Sequence, residues 1–164
     1  MIKFLRNYRN NKEDNQEENK GFSLVELIIV IAIMAILVAV LAPQFLQYVE
    51  RSRNSTDASN ATSIVSAVQT YFADPAYSSE VSSFSSDTIK VSSTGFEAGD
   101  VITKALKVAG YDSTDIKCKS TSAWDSYTIK FTRTSDGTVG FEYGDTVFAT
   151  YMSTGAVSTT TSDT

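Results

Sequence analysis

The residue best placed to do chemistry in this sequence is Glu26, a carboxylic acid at the start of a long apolar stretch. From Leu27 to Ala42 the chain contains no polar residue. A carboxylate within a membrane costs about 2.5 to 3.5 kcal/mol by insertion scales, and less near the interface, so it indicates a functional role with a partner of opposite charge. The nearest cation, Lys20, lies beyond Gly21, and the helix of Glu26 supplies no other. The alternative is a glutamate at the membrane surface whose side chain reaches water.

Other residue types that carry catalysis are scarce. The chain has no histidine, which excludes Ser-His-Asp, Cys-His and histidine-metal sites. Its single cysteine, Cys118, cannot form an intramolecular disulfide. The flanking Lys117 and Lys119 would favour a reactive thiolate, whereas their alternation with the cysteine favours an inert, half-buried strand residue. We therefore predict a protein that is not an enzyme, without catalytic residues, cofactor or metal.

The acidic residues of the C-terminal part are scattered among predicted turns, and their spacing does not match an EF-hand loop. They include Asp112, Asp115, Asp136 and Asp145. Without its first 21 residues, the chain carries 9 basic and 15 acidic side chains. This negative balance opposes direct nucleic-acid binding, because neutralising phosphates requires clustered Lys and Arg.

The apolar stretch is long enough to cross a membrane. Only Ser23 and Glu26 interrupt the 21 positions from Phe22 to the residue before Pro43, and about 20 helical residues span a hydrocarbon core of about 30 Å. A soluble helix would show a polar face, which this one lacks. The preceding residues 1–21 have no apolar run but carry five basic residues, which favours a cytoplasmic leader and an outward C-terminus.

The segment Lys-Gly-Phe-Ser-Leu-Val-Glu-Leu at residues 20–27, with the apolar run after it, resembles the class III signal of type IV prepilins. The resemblance implies that a membrane peptidase cuts after Gly21 and methylates the new amine of Phe22, and that Glu26 is the matching acid. Many members have Thr at the position of Ser23. Many pilins of Gram-negative bacteria close a C-terminal loop with a disulfide, which this chain cannot form, so the resemblance is nearer to disulfide-free pilins such as the clostridial major pilins.

The resemblance also implies the function and the partners. It implies a structural subunit of a type IV pilus, a homo-oligomeric helical filament for adhesion, twitching motility or biofilm formation. Its partners would be prepilin peptidase, an assembly platform with its ATPase machinery, the membrane and minor pilins. The subunit would cross the cell membrane once before assembly and then lie in an extracellular surface pilus. A proline at the position of Pro43 is a family feature, where it kinks the helix or lets it loosen in the filament.

Three other interpretations remain open. The chain could be a pseudopilin of a type II secretion or competence system, and the resemblance to pseudopilins leaves room for a weak calcium site around Asp136 or Asp145. It could be a single-span surface receptor. A conventional signal peptide cut after Ala42 is the third interpretation, but Pro43 directly after that bond and the length of the apolar run oppose it.

We predict an α+β fold in which one long N-terminal helix, membrane-spanning in its first half and amphipathic in its second, packs on a small antiparallel sheet. The predicted segments are a cleaved leader, a transmembrane and filament-core helix, the amphipathic half of that helix, a Ser/Thr-rich connecting loop and a head: residues 1–21, 22–43, 44–73, 74–97 and 98–164.

Periodicity supports this division. From Ala61 onwards apolar residues recur at helical spacing up to Phe72, and Pro75 predicts a helix end near Ala73. The opposite, polar face of that helix is expected to carry Arg51, Arg53, Asn54, Asp57, Asn60 and Gln69.

The connecting loop is expected to be mostly a flexible surface loop, with a short strand at residues 89–91. The alternative is that it forms a recognition or glycan-bearing surface. A second helix is predicted from Asp100 to Ala109, with Gly110 as its stop.

The remainder is predicted to be strands. Residues 127–131 and 139–143 alternate apolar and polar residues around a hairpin turn at Ser135-Asp136-Gly137. Residues 146–151 and 156–157 are expected to add a third strand and a short fourth pairing. The inner face of this meander is expected to hold Ile129, Phe131, Val139, Phe141 and Tyr143. We expect Trp124, Tyr127 and Tyr143 to lie in the core, with an exposed aromatic patch as the alternative.

Overall fold

A computed structural model describes residues 22–157. The predicted leader, including Gly21, lies outside the described residues. The chain divides into two units between Gln44 and Phe45. In the first unit every residue from Phe22 to Gln44 is exposed. The second unit contains the hydrophobic core, and we call it the head.

The first element is α1, a 50-residue helix from Leu24 to Ala73 that continues through Pro43. Its predicted end at Ala73 is confirmed. Asp74 then accepts a hydrogen bond from the Ala76 N–H at 2.9 Å and caps a short 3₁₀ helix at Pro75–Tyr77. The next helix, α2, is a single turn at Ser78–Ser82.

The sheet has four antiparallel strands, β1 (Ser86–Val91), β2 (Phe96–Glu97), β3 (Tyr127–Arg133) and β4 (Val139–Tyr143), in the order β2-β1-β3-β4. Strand β1 pairs with β3 along its whole length. The predicted hairpin between β3 and β4 is confirmed, since the Thr134 N–H bonds the Thr138 carbonyl at 2.9 Å and Gly137 adopts a φ of 91°.

Two further helices lie in the part of the head that the structure describes. Helix α3 (Asp100–Val108) confirms the predicted second helix, and Gly110 follows it with a φ of 90°. Helix α4 (Thr146–Thr154) occupies the segment expected to be a third strand. That expectation was wrong because Asp145 caps a helix, accepting the N–H groups of Val147 and Phe148 at 2.9 and 3.0 Å. Residues 156 and 157 form no strand either.

The core of the head lies between α1 and the sheet, as predicted. Helix α1 contributes Ala61, Ile64, Val65, Val68 and Tyr71, and all of these are buried. They pack in one cluster with Tyr127, Ile129 and Phe131 of β3 and with Trp124. Tyr143 is half-buried against the same cluster.

The structure corrects three expectations about burial and regular structure. The predicted connecting loop contains α2, β1 and β2, so the expectation that it is mostly loop was wrong. Phe141 was expected to be buried but is 43 % exposed, because β4 is an edge strand. Asn54 and Asp57, assigned to the polar outer face of α1, are instead 4 % and 0 % exposed.

Candidate functional site

Glu26 lies in the first turn of α1, where it closes a capping box. Its Oε2 accepts the backbone N–H of Ser23 at 2.9 Å, and the Ser23 Oγ accepts the N–H of Val25 at 3.3 Å. The pattern of a hydroxyl residue followed three positions later by glutamate satisfies two N–H groups that a helix start leaves open. This local partner was not predicted, because a cation was expected beside Glu26, although the spacing of Ser23 and Glu26 is the signature of a capping box.

Phe22, the residue expected to become the N-terminus, is 91 % exposed and precedes the helix by two positions. It lies four positions before the capped carboxylate of Glu26 along the chain. Pro43, the third predicted assembly residue, lies inside α1, and its role in kinking or extension stays a prediction.

The helix that follows Glu26 presents apolar side chains on all sides. From Leu24 to Leu41 its large apolar residues are between 47 and 72 % exposed. Within the described residues α1 is the helix long and apolar enough to cross a membrane, with a mean hydropathy of 3.2 over an 18-residue window of which 0 % is buried. Such a surface is stable only in lipid or against other apolar surfaces.

In the head, two carboxylates of α1 hold the loop of residues 118–124, and we call this arrangement the carboxylate clasp. Asp57 is 0 % exposed. It accepts the N–H of Lys119 at 2.7 Å, the N–H of Ser120 at 2.9 Å and the indole N–H of Trp124 at 2.9 Å. The Cys118 thiol donates a fourth, longer bond at 3.4 Å. A buried charge is tolerated when its oxygens are paired in this way.

Glu50 forms the second half of the clasp, two helical turns before Asp57. It accepts the N–H groups of Thr121 and Ser122 at 2.6 and 2.9 Å, and it also accepts both hydroxyls of Ser120 and Thr121. Partial burial by itself would raise the pKa of Glu50, but these hydrogen bonds together outweigh it and lower the pKa to about 2. An ion pair with Arg53 at 3.2 Å adds to the arrangement.

The lowered pKa makes the clasp sensitive to acid. Because the folded pKa of Glu50 lies below the ordinary 4.5, the stabilisation is complete above about pH 4.5 and is lost as the pH falls towards 2. We expect Glu50→Gln to lower the melting temperature at pH 7 and to flatten its decline between pH 5 and pH 2.5. Thermal unfolding of the full chain in detergent micelles measures both effects. Glu97→Gln, at an exposed position of β2, is the matched control, and a decline as steep in Glu50→Gln as in the wild type would contradict the assignment.

The remaining candidate residues are structural. Cys118 is free, buried and outside any strand, and burial followed by the nearby Asp57 charge raises the pKa of its thiol to about 12. The reactive-thiol alternative is therefore contradicted. Asp136 accepts bonds from Thr134 and Thr138 in the hairpin turn, while Asp145 caps α4. Among the described residues no group of three or more acidic or cysteine side chains could hold a metal ion.

The chain is thus an α+β protein. Its long first helix begins with a capped glutamate, presents an apolar surface, and continues into the head. Residues 18–42 match the family model of the prokaryotic N-terminal methylation motif, which is the class III signal of type IV pilins. The motif indicates a type IV pilin-like or pseudopilin protein, a structural class and not an enzyme class. No characterised protein and no solved structure showed significant similarity to the chain.

The motif also indicates how the chain is processed and where it is inserted. It implies processing by prepilin peptidase and assembly into a multi-subunit filament. The class III signal together with the apolar part of α1 fits insertion into a membrane before assembly.

Proposed function

We propose that this chain is a type IV pilin, a structural subunit that is cleaved between Gly21 and Phe22 and methylated at Phe22. The subunits assemble into a helical surface filament that serves adhesion, twitching motility or biofilm formation. The observation that carries the proposal is the apolar part of α1, which starts directly after Glu26 and has no cover in the described chain. In a filament, copies of this helix cover one another.

The chemistry of the new terminus supports the proposal. Cleavage after Gly21 creates an α-amine on Phe22 with a reference pKa of about 7.7 to 8.0, so it is largely cationic at neutral pH. Among the described residues Glu26 forms no salt bridge, and its carboxylate accepts the Ser23 N–H. A neighbouring subunit that is offset along the filament brings its own Phe22 amine to this carboxylate. In a low dielectric the pair attracts strongly, and either group alone is costly.

The proposed assembly also defines the partners. Prepilin peptidase removes the leader, an assembly platform with its ATPase extracts the subunit from the membrane, and other copies receive it. Contacts of this head-to-tail kind repeat by rotation and rise, and they therefore produce an open fibre.

The experiment that tests the proposal is determination of the N-terminal residue and its mass on protein sheared from cells and collected as filaments. A chain that starts at N-methylated Phe22 is the expected result. Processed Phe22 in chains that form no visible fibre, with secretion lost on deletion, would identify a pseudopilin. An intact leader, or a start at Pro43 in soluble protein, would overturn the proposal in favour of a receptor or a secreted domain.

A further inference from the structure

The head has a groove between α1 and α3 that no described residue fills. The groove has a volume of about 420 Å³. Ser63, Ser66 and Thr70 of α1 line one side, Ala105 and Val108 of α3 line the other, and Asp74 is the charged residue among its lining. Val108 is 59 % exposed, which leaves an apolar side chain uncovered at the rim.

The α1 side of this groove suits close packing against an apolar helix. From Ala58 to Ala73 the helix contains no charged residue. The hydroxyls of Thr62, Ser63 and Thr70 donate to carbonyls four residues earlier in α1, at 2.9, 3.0 and 2.7 Å. Covering these hydroxyls therefore costs little, because they already have an acceptor. Small side chains here also let a second backbone approach closely.

The same head has a second exposed apolar surface, on the part of α1 that precedes the groove. Phe45, Leu46 and Tyr48 are 65, 66 and 65 % exposed, and together with Val108 and Phe141 they are the exposed large apolar residues from Phe45 to Val157. Arg51 follows one turn after Tyr48, with its guanidinium 5.9 Å from the centre of that ring. We call residues 45–51 the aromatic knob.

The geometry points to an interface between copies of this chain in which the aromatic knob of one copy enters the groove of another. The inference rests on the proposed function, since it describes one contact of the filament. Phe45 and Tyr48, and likewise Tyr48 and Arg51, are spaced by three residues, so Tyr48 neighbours both of the others on the helix surface. Apolar rings meet Val108 and the uncharged side of α1, and the Arg51 charge meets Asp74.

The positions of the aromatic knob and the groove determine the axial offset between the two copies. Arg51 comes level with Asp74 at the end of the groove when parallel helices are offset by about 23 positions, which is about 34 Å at 1.5 Å per residue. The contact is heterologous, with knob and groove on different parts of the surface, so each copy can use both and the contact propagates along a fibre.

Cross-linking in sheared filaments tests this contact. We expect the double variant Tyr48→Cys with Val108→Cys, treated with a short bis-maleimide, to give a ladder of dimers, trimers and higher species. Neither single variant should give a ladder, and the pair Tyr48→Cys with Ser93→Cys, which replaces an exposed turn residue, is the matched control. The native Cys118, which every variant retains, is 7 % exposed and should not react. If the double variant does not assemble alone, mosaic filaments with wild-type subunits provide the same readout as cross-linked dimers.

A charge in the groove tests the contact without cysteines. Val108→Glu should reduce the yield of filaments at least tenfold while the melting temperature of the head stays unchanged, because Val108 is exposed. Phe141→Glu, the same change at the exposed position of β4, should leave the yield unchanged. Filaments with methylated Phe22 but no Tyr48–Val108 ladder, or equal yields for the two glutamate variants, would overturn this inference and leave the proposed function intact. Absence of wild-type filaments would instead overturn the proposed function.

Discussion

Replacing Asp57 by alanine should strongly destabilise the head. The change removes the acceptor of three N–H groups, those of Lys119, Ser120 and the Trp124 indole, in a site that is 0 % exposed. Leaving buried donors without a partner, or breaking a buried charged site, costs about 3 to 5 kcal/mol. For a unit of this size that is a fall in melting temperature of about 10 to 20 °C. Thermal unfolding of the full chain in detergent micelles, followed by near-ultraviolet circular dichroism of Trp124, measures it.

Two further variants separate the clasp from general effects of charge. Asp125→Ala removes a carboxylate from an exposed neighbouring position and should change the melting temperature by less than about 2 °C. Asp57→Asn keeps the size and one accepting oxygen, so its stability should lie between that of the wild type and that of Asp57→Ala. An Asp57→Ala protein as stable as Asp125→Ala would show that the clasp does not hold the loop.

Replacing Glu26 by glutamine should abolish filaments while leaving the chain in the membrane at normal levels. The amide oxygen of glutamine can still accept the Ser23 N–H, so the capping box at the start of α1 is preserved. What is lost is the negative charge proposed to meet the Phe22 amine of a neighbouring subunit, which leaves that amine unpaired in an apolar surrounding. We expect the yield of sheared filaments to fall at least tenfold, measured against the amount of processed subunit in membranes.

A second variant separates the effect of the capping box from the effect of the Glu26 charge. Ser23→Ala removes the hydroxyl that accepts the Val25 N–H at 3.3 Å but leaves the Glu26 charge in place. This variant should assemble nearly as well as the wild type. Normal filaments from Glu26→Gln would refute the proposed pair, and equal losses in both variants would show that the cap and not the charge is what assembly requires.

Much of this architecture could be predicted from the sequence because it rests on long periodic patterns. The apolar run, the stripe from Ala61 to Tyr71 and the alternation around Gly137 each repeat over several turns or strand positions. Short segments were predicted less well. Thr146 to Tyr151 is rich in residues that favour strands, but the cap at Asp145 and the covered position of Phe148 select a helix.

The clasp was missed for a different reason. Periodicity alone assigns polar residues to the solvent side of a helix, and Asn54 and Asp57 were placed there. Asp57 bonds the loop of residues 118–124, whose N–H groups lie more than 60 positions away along the chain. Nothing in the local sequence reports such a partner. The spacing of Asn54, Asp57 and Ala61 could have indicated their burial. These residues follow at i, i+3 and i+7, so Asn54 and Asp57 lie on the same face of the helix as the buried apolar stripe that begins at Ala61.

The long separation within the clasp has a consequence for biosynthesis. At 5 to 20 residues per second, the residues that bond Asp57 are made about 3 to 12 s after Asp57 itself. During that interval β3, which supplies Ile129 and Phe131 to the core, has not been made, and the charges of Glu50 and Asp57 keep the second half of α1 hydrated. The same carboxylates that later fasten the loop therefore act first as solubilising groups on the nascent helix. The head can close only after the chain has been made past Trp124.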